Sequence, residues 1–127
     1  MQSHRIILIE DDTFVRELYA KALTEAGFEV EQAIDGEAGL AKLTQGGFDL
    51  ILLDIKLPKK DGLSILTELK NHPPQTKNGP VVLLTNFTDP NIINRGLKLG
   101  AVHYLDKADL VPGQLVATAT HLLSTRQ

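Results

Sequence analysis

Four consecutive apolar residues, Leu50 to Leu53, constrain the fold of this chain more than any other stretch. The run does not alternate with polar residues, which is typical of a strand covered on both faces in the middle of a parallel sheet. It ends at Asp54, and Pro58 and the pair Asp61-Gly62 then indicate a loop and a turn. A carboxylate at the carboxyl end of a central strand lies where open α/β sheets bind their ligands. Asp54 is therefore either a simple cap or a site residue, and the other strand ends decide between these readings.

Strands and helices are predicted to alternate along the chain. Apolar, β-branched stretches predict strands near residues 5–9, 28–34, 50–53, 81–84 and 102–105. Capping residues and helical spacing predict helices near residues 12–26, 37–45, 63–72, 89–99 and 112–124. In the first helix we expect one buried face, made of Val15, Leu18, Ala22, Leu23 and Ala26. Five strands alternating with five helices predict an α/β fold, a parallel sheet with helices on both faces.

The composition is ordinary for a globular domain. With 127 residues, 43% apolar and 23% charged, we expect one domain over residues 1–127. No apolar run approaches the roughly 18 residues of a membrane span, and no signal-peptide pattern opens the chain. The absence of cysteine excludes a disulfide framework and a thiolate metal site, and fits a cytoplasmic location. The net charge of −3 offers no basic patch for nucleic acid.

Polar residues of complementary kinds follow four of the predicted strands. Glu10 and Asp11 follow the first strand, Asp54 the third, Thr85 the fourth and Lys107 the fifth. If strands one and three are neighbours, as in the order 2-1-3-4-5 of flavodoxin-like sheets, the three carboxylates face one crevice. Like charges this close repel unless a cation joins them, and Mg²⁺ accepts such all-oxygen sites. The metal and Lys107 would neutralise a phosphoryl group, the Thr85 hydroxyl would donate to it, and Asp54 would be the nucleophile.

Each of these residues has a simpler explanation when it is taken alone. Glu10, Asp11 and Asp12 are also favourable charges at a helix amino terminus, and for Asp12 we prefer that reading. Thr85 suits a strand because it is β-branched, and most lysines, like Lys107, are solvated. The combination at four strand ends of one sheet is what favours a site.

One set of residues extends over nearly the whole chain: Glu10-Asp11, Asp54, Leu57-Pro58, Asp61-Gly62, Thr85, Gly100-Ala101, Tyr104 and Lys107. In these residues and their spacing, the chain resembles the response regulator receiver domain of two-component signalling. The resemblance implies a flavodoxin-like (βα)5 fold with strand order 2-1-3-4-5. It also implies a signalling domain rather than an enzyme, whose partners are a kinase and a downstream protein, with no membrane or direct nucleic-acid contact.

The resemblance assigns roles around the acceptor. A histidine kinase or phosphotransfer protein would transfer its phosphoryl group to Asp54. The resemblance further implies that Mg²⁺ is held by Asp11, Asp54 and the main-chain carbonyl of Lys56, with Glu10 helping through water.

The same resemblance implies residues for a conformational switch and residues that set the lifetime of the phosphoryl group. Thr85 and Lys107 would bind the phosphoryl oxygens, and Thr85 and Tyr104 would shift together toward the face of helix 4, strand 5 and helix 5. The lifetime of the phosphoryl group would depend on the side chains of Lys56 and Phe87. Neither of these two side chains suits the positioning of an attacking water, so we expect a long-lived phosphoryl state.

Two departures from the family pattern leave alternatives open. Ala108 follows Lys107 where the family commonly has proline, and Asn86 replaces the usual small residue after Thr85. A pseudo-receiver, which binds partners without being phosphorylated, is therefore one alternative. A haloacid-dehalogenase-like Mg²⁺ phosphohydrolase is another, although those enzymes place Asp-x-Asp after the first strand and here Asp54-Ile55-Lys56 follows the third.

Overall fold

The computed structural model of the protein describes residues 3–86 and 89–124. The strands of this part are β1 (Arg5–Ile9), β2 (Glu29–Ala33), β3 (Leu50–Asp54), β4 (Val81–Thr85) and β5 (His103–Asp106). The helices are α1 (Thr13–Glu25), α2 (Gly36–Gln45), α3 (Gly62–Asn71), α4 (Pro90–Lys98) and α5 (Pro112–Ser124). Every element lies where the sequence predicts it, with shifts of about one residue at the ends.

The strands form one parallel sheet in the order β2-β1-β3-β4-β5. This order confirms the flavodoxin-like α/β fold. All five residues of β3 and of β4 are buried, as their unbroken apolar runs predict. The edge strands β2 and β5 keep exposed residues, because only one neighbour covers each of them. The carboxyl ends of β1, β3 and β4 therefore meet at the centre of one sheet edge.

Two apolar layers hold the helices on the sheet. Alternate strand residues point to opposite faces, so Ile7 and Ile51 pack with residues of α2 and α3, such as Leu43 and Ile65. Their neighbours, including Leu52, pack with α1 and α5 on the other face. None of the helices in the described ranges has the length and apolar character that a membrane crossing requires.

The buried face of α1 differs from the predicted one. Its buried residues are Arg16, Tyr19, Ala20 and Leu23, whereas Leu18 is 39% exposed. The predicted face is therefore confirmed at Leu23 and partly at Val15 and Ala22, which are half-buried, and is wrong at the exposed Leu18 and Ala26. The reason is that the buried spacing i, i+3, i+4, i+7 begins at a charged residue, Arg16, which apolar patterning passes over.

Four helices begin at aspartates that act as N-caps. The carboxylates of Asp12, Asp35, Asp61 and Asp89 each accept a hydrogen bond from a main-chain N–H in the first turn. This geometry confirms the capping role preferred for Asp12.

The loop that follows Asp54 is closed by main-chain contacts. The Gly62 N–H donates to the Ile55 carbonyl at 2.7 Å, and the Gly36 N–H donates to the Pro58 carbonyl at 3.1 Å. Gly62 packs so tightly that a Cβ there would lie 2.6 Å from the Asp54 carbonyl oxygen. Helix α3 therefore begins directly against the end of β3.

Candidate functional site

The acidic residues named from the sequence meet at the carboxyl edge of the sheet. Carboxylate oxygens of Glu10, Asp11 and Asp54 all lie within 4.8 Å of one another. Glu10 and Asp54 are buried, whereas Asp11 is exposed. A cavity of about 600 Å³ opens above them, and Lys107 also lines it. The cavity is large enough for a phosphoryl group and a cation together.

Lys107 joins the two buried carboxylates. Its Nζ donates to Glu10 Oε1 at 2.5 Å and to Asp54 Oδ2 at 3.0 Å, and its side chain is only 11% exposed. Burial disfavours the charged ammonium, but the hydrogen bonds to Glu10 and Asp54 outweigh it and raise the pKa of Lys107. The site therefore keeps a fixed cation beside Asp54 at neutral pH.

Asp54 is held in an unfavourable environment for its charge. Burial raises the pKa of its carboxyl to about 6, the hydrogen bond from Lys107 opposes the rise, and the nearby Glu10 carboxylate adds to it. Asp54 Oδ1 also accepts from the main-chain N–H of Lys56 at 3.2 Å. A further cation would relieve the desolvated charge, so the environment of Asp54 favours cation binding.

The three carboxylates differ in what they can offer a metal ion. Both oxygens of Glu10 accept hydrogen bonds, Oε1 from Lys107 and Oε2 from the Asp12 N–H at 3.0 Å. Asp11 faces the solvent beside Asp54, and no residue of the described ranges is seen to hydrogen-bond its carboxylate. The oxygen-rich donor set fits a hard divalent cation, and the exposed carboxylate of Asp11 is the most accessible of the three for direct binding.

Arg16 is a site residue that the sequence analysis missed. Its Nη1 donates to the main-chain carbonyls of Glu10 at 3.0 Å and Asp11 at 3.5 Å, and its Nε donates to Gln32 Oε1 at 3.1 Å. The guanidinium thus fixes the main chain that carries the acidic pair. The available signal was a basic residue at helical spacing from Tyr19 and Leu23, one turn after an acidic strand end.

The remaining residues lie around the cavity or away from it. Thr85 is buried at the end of β4, and Lys56 and Asn86 line the cavity. The Lys107–Ala108 peptide bond is trans. Phe87 lies outside the described residues.

Tyr104 lies outside the cavity, on the outer strand β5. Tyr104 pairs in register with Leu83, and Asp106, two residues further along β5, pairs with Thr85. Tyr104 is 40% exposed. Strand β4 therefore lies between Tyr104 and β3, the strand that carries Asp54.

A family profile and individual protein sequences both match this chain. The response regulator receiver domain profile matches residues 6–119. The transcriptional regulatory protein QseB of Haemophilus influenzae is 39% identical over 104 residues, which is 81% of this chain and 45% of QseB. The transcriptional regulatory protein DltR of Streptococcus agalactiae is 36% identical over 103 residues, 81% of this chain and 45% of DltR. The chain thus spans less than half the length of these relatives.

Solved structures give the same result. A CheY-like response regulator receiver domain protein from Methanospirillum hungatei superimposes with a TM-score of 0.86 at 28% identity, over 98% of this chain and 96% of that one. The chemotaxis protein CheY4 of Vibrio cholerae gives 0.81 at 28% identity, over 96% of this chain and 100% of that one. With the profile match, the shared strand order and the acidic cluster, these likenesses show that the chain belongs to the response regulator receiver domain family of two-component systems.

Proposed function

We propose that Asp54 accepts a phosphoryl group from a histidine kinase or phosphotransfer protein in a Mg²⁺-dependent reaction. The main support for this proposal is the contact between the buried Asp54 carboxylate and Lys107 Nζ at 3.0 Å, beside Glu10 and Asp11. A carboxylate oxygen of Asp54 forms the new P–O bond while the P–N bond to the donor imidazole breaks. The imidazole nitrogen takes the electron pair. The chain is then a phosphoacceptor rather than a conventional enzyme.

The donor set supports Mg²⁺ as the cation. Asp11, Asp54 and the main-chain carbonyl of Lys56 would hold it. Glu10 would act through water, which is the role that the family resemblance gives it. When bound, the ion supplies positive charge that neutralises the carboxylates and the phosphoryl oxygens.

Lys107 and Thr85 would bind the phosphoryl oxygens. Lys107 is already an ammonium at Asp54, and its flexible side chain can follow an oxygen from the carboxylate to the phosphoryl group. Thr85 ends the neighbouring strand, with its register position next to that of Asp54. Both residues thus act by charge and hydrogen bonding, the kind of stabilisation that phosphoryl transfer needs.

The proposed output is a change in protein binding at the face of α4, β5 and α5. Thr85 and Tyr104 would relay the change, since the half-exposed Tyr104 ring can move without displacing a core residue. In this proposal residues 1–127 act as one receiver domain in the cytoplasm and bind a downstream protein. QseB and DltR are named as transcriptional regulators, and this chain spans less than half of either.

The test is phosphoryl uptake from acetyl phosphate, followed by intact mass. With Mg²⁺ we expect the wild type to gain one phosphoryl mass, and Asp54→Asn to fold and gain none. Asp12→Asn is the matched control, because asparagine keeps the N-cap of α1 and the change removes a neighbouring carboxylate outside the cluster. No uptake by the wild type with Mg²⁺ would instead support the pseudo-receiver alternative. Full labelling of Asp54→Asn would show another acceptor.

A further inference from the structure

A second cavity lies at the other end of the strands from Asp54, where β3 and β4 begin. Its volume is about 520 Å³, and it is bounded by the carboxyl ends of α3 and α4 and by residues between 73 and 79. Its floor is apolar, with Ile51, Leu66 and Val81 buried and Leu69 and Leu99 half-buried. This volume falls within the range of small-molecule sites, which are mainly apolar.

Residues 77–79, which form part of this wall, are fixed by hydrogen bonds. The Gly79 N–H donates to the Phe48 carbonyl at 2.6 Å, and the Gly47 N–H donates to the Lys77 carbonyl at 3.2 Å. The Asn78 side chain accepts from the Phe48 N–H at 3.1 Å and donates to the Leu43 carbonyl at 3.0 Å. The cavity is therefore largely formed before any ligand arrives, which lowers the entropic cost of binding.

The rim of the cavity carries an excess of positive charge. Lys70, Lys77 and Lys98 line it, none of the lining residues is acidic, and these lysines form no ion pair within the described ranges. Two helix carboxyl ends contribute a dipole charge of only about −0.5 each. Three ammonium groups outweigh that contribution, so the lysines do more than offset the helix dipoles.

We propose that this cavity binds a small amphiphilic anion. Its aliphatic or aromatic part would cover Leu69 and Leu99, and its carboxylate or phosphate group would face the three lysines. The apolar floor discriminates against small hydrophilic anions, and the lysines discriminate against cations of the same shape. The proposal is independent of phosphoryl transfer, because the cavity lies at the amino ends of the strands and Asp54 lies at the carboxyl end of β3.

The test is a titration of the full chain with octanoate, followed by amide NMR. We expect saturable shifts around Leu69 and Lys98–Gly100, with a Kd of about 1 mM or tighter for a ligand of ~10 non-hydrogen atoms. The cationic analogue octylammonium should not bind there. The combined variant Lys70→Gln, Lys77→Gln, Lys98→Gln should bind octanoate roughly tenfold more weakly.

The matched control is Lys21→Gln, which removes an exposed lysine on α1 and should leave octanoate binding unchanged. Three results would each overturn the proposal: no saturable octanoate binding, equal binding of octylammonium, or undiminished binding by the triple variant. Binding of the protein to phosphatidylglycerol vesicles should be measured as well. Vesicle binding without octanoate binding would mean that the lysines contact a membrane surface and that the cavity is not a ligand site.

Discussion

Lys107 follows Glu10 by 97 positions, yet its Nζ lies 2.5 Å from Glu10 Oε1. Strands β3 and β4 separate β1 from β5, so the side chain reaches across two strand ends and contacts Asp54 on the way. Glu10 is fully buried, and loss of the ammonium would leave its charge uncompensated. Lys107 therefore stabilises the fold as well as carrying its proposed role with the phosphoryl group.

The raised pKa of Asp54 predicts that the metal-free protein loses stability as the pH rises. The pKa is about 6 in the folded state against an ordinary 3.8. Between these values the folded state keeps a proton that the unfolded state has released, so the free energy of unfolding falls through this window. Asp54→Asn should lose this dependence and be more stable at pH 7 by on the order of 2 kcal/mol.

Urea unfolding in EDTA at about pH 4 and about pH 7 measures this difference. Asp12→Asn should keep the pH dependence of the wild type, because Asp12 lies outside the buried pair. An Asp54→Asn variant with the wild-type dependence would assign the titration to another group.

Asp11→Asn should weaken Mg²⁺ binding, roughly tenfold or more, because it removes an exposed carboxylate of the cluster. It should also make the metal-free protein more stable, since one of three mutually repelling charges is gone. Thermal melts with and without Mg²⁺ test both effects, again beside Asp12→Asn. If the Mg²⁺-dependent shift in Tm survives in Asp11→Asn, the ion binds elsewhere.

Arg16→Met should lower both stability and Mg²⁺ affinity. Methionine retains much of the buried volume but leaves the carbonyls of Glu10 and Asp11 without their donor, at a cost of about 2–4 kcal/mol. Mg²⁺ titration at a temperature where the variant is folded separates the two effects. Arg16→Lys, which keeps a charged donor, should recover part of the affinity. A destabilised variant with wild-type Mg²⁺ affinity would limit Arg16 to a structural role.

Lys56→Asn should shorten the life of the proposed phosphoryl group several-fold. Lys56 lines the cavity. Its ammonium cannot accept a proton from an attacking water, whereas the amide oxygen of asparagine can accept a hydrogen bond from that water. Adding Phe87→Glu should bring the increase in hydrolysis to about tenfold, within the ~10² that positioned polar groups contribute.

The decay of phosphorylated protein, followed by intact mass after removal of acetyl phosphate, gives the rate. Lys59→Asn is the control. It changes a lysine of the same loop that pairs with Asp35 at 3.6 Å, and asparagine tolerates the positive φ of 70° at that position. Equal rates for the wild type and the double variant would show that these side chains do not control the lifetime.

Beryllofluoride with Mg²⁺, a mimic of the phosphoryl group, should change amide exchange most between Thr85 and Leu105. Helix α4 is short and contains Asn91, Asn94 and Gly96, which lower its intrinsic helix stability. Exchange measured with and without the mimic tests the proposed relay. Changes confined to α1 and α2 would contradict it.

The elements of the fold could be predicted because their signals are local. The buried runs of β3 and β4 are continuous and apolar, and the aspartate caps stand directly before α1 and α3. The gathering of Glu10, Asp11 and Asp54 then follows from parallel pairing, since every strand ends at the same edge.

The partners of the buried charges could not be predicted in this way. The direction in which Lys107 points depends on burial and on two carboxylates that are distant in sequence. Arg16 breaks the apolar pattern of α1 because its hydrogen-bond acceptors are main-chain carbonyls, which no residue type reveals. Side-chain chemistry of this kind emerges only once the backbone is in place.

The closed loop after Asp54 limits how the chain can vary there. Its ends are joined between Ile55 and Gly62, and its tip is attached to the start of α2 through Pro58 and Gly36. Side chains of the loop can be exchanged without breaking these main-chain contacts. An inserted or deleted residue would break these contacts, because it would shift α3 away from β3, the strand that carries the proposed acceptor Asp54. The loop should therefore tolerate changes of sequence far better than changes of length.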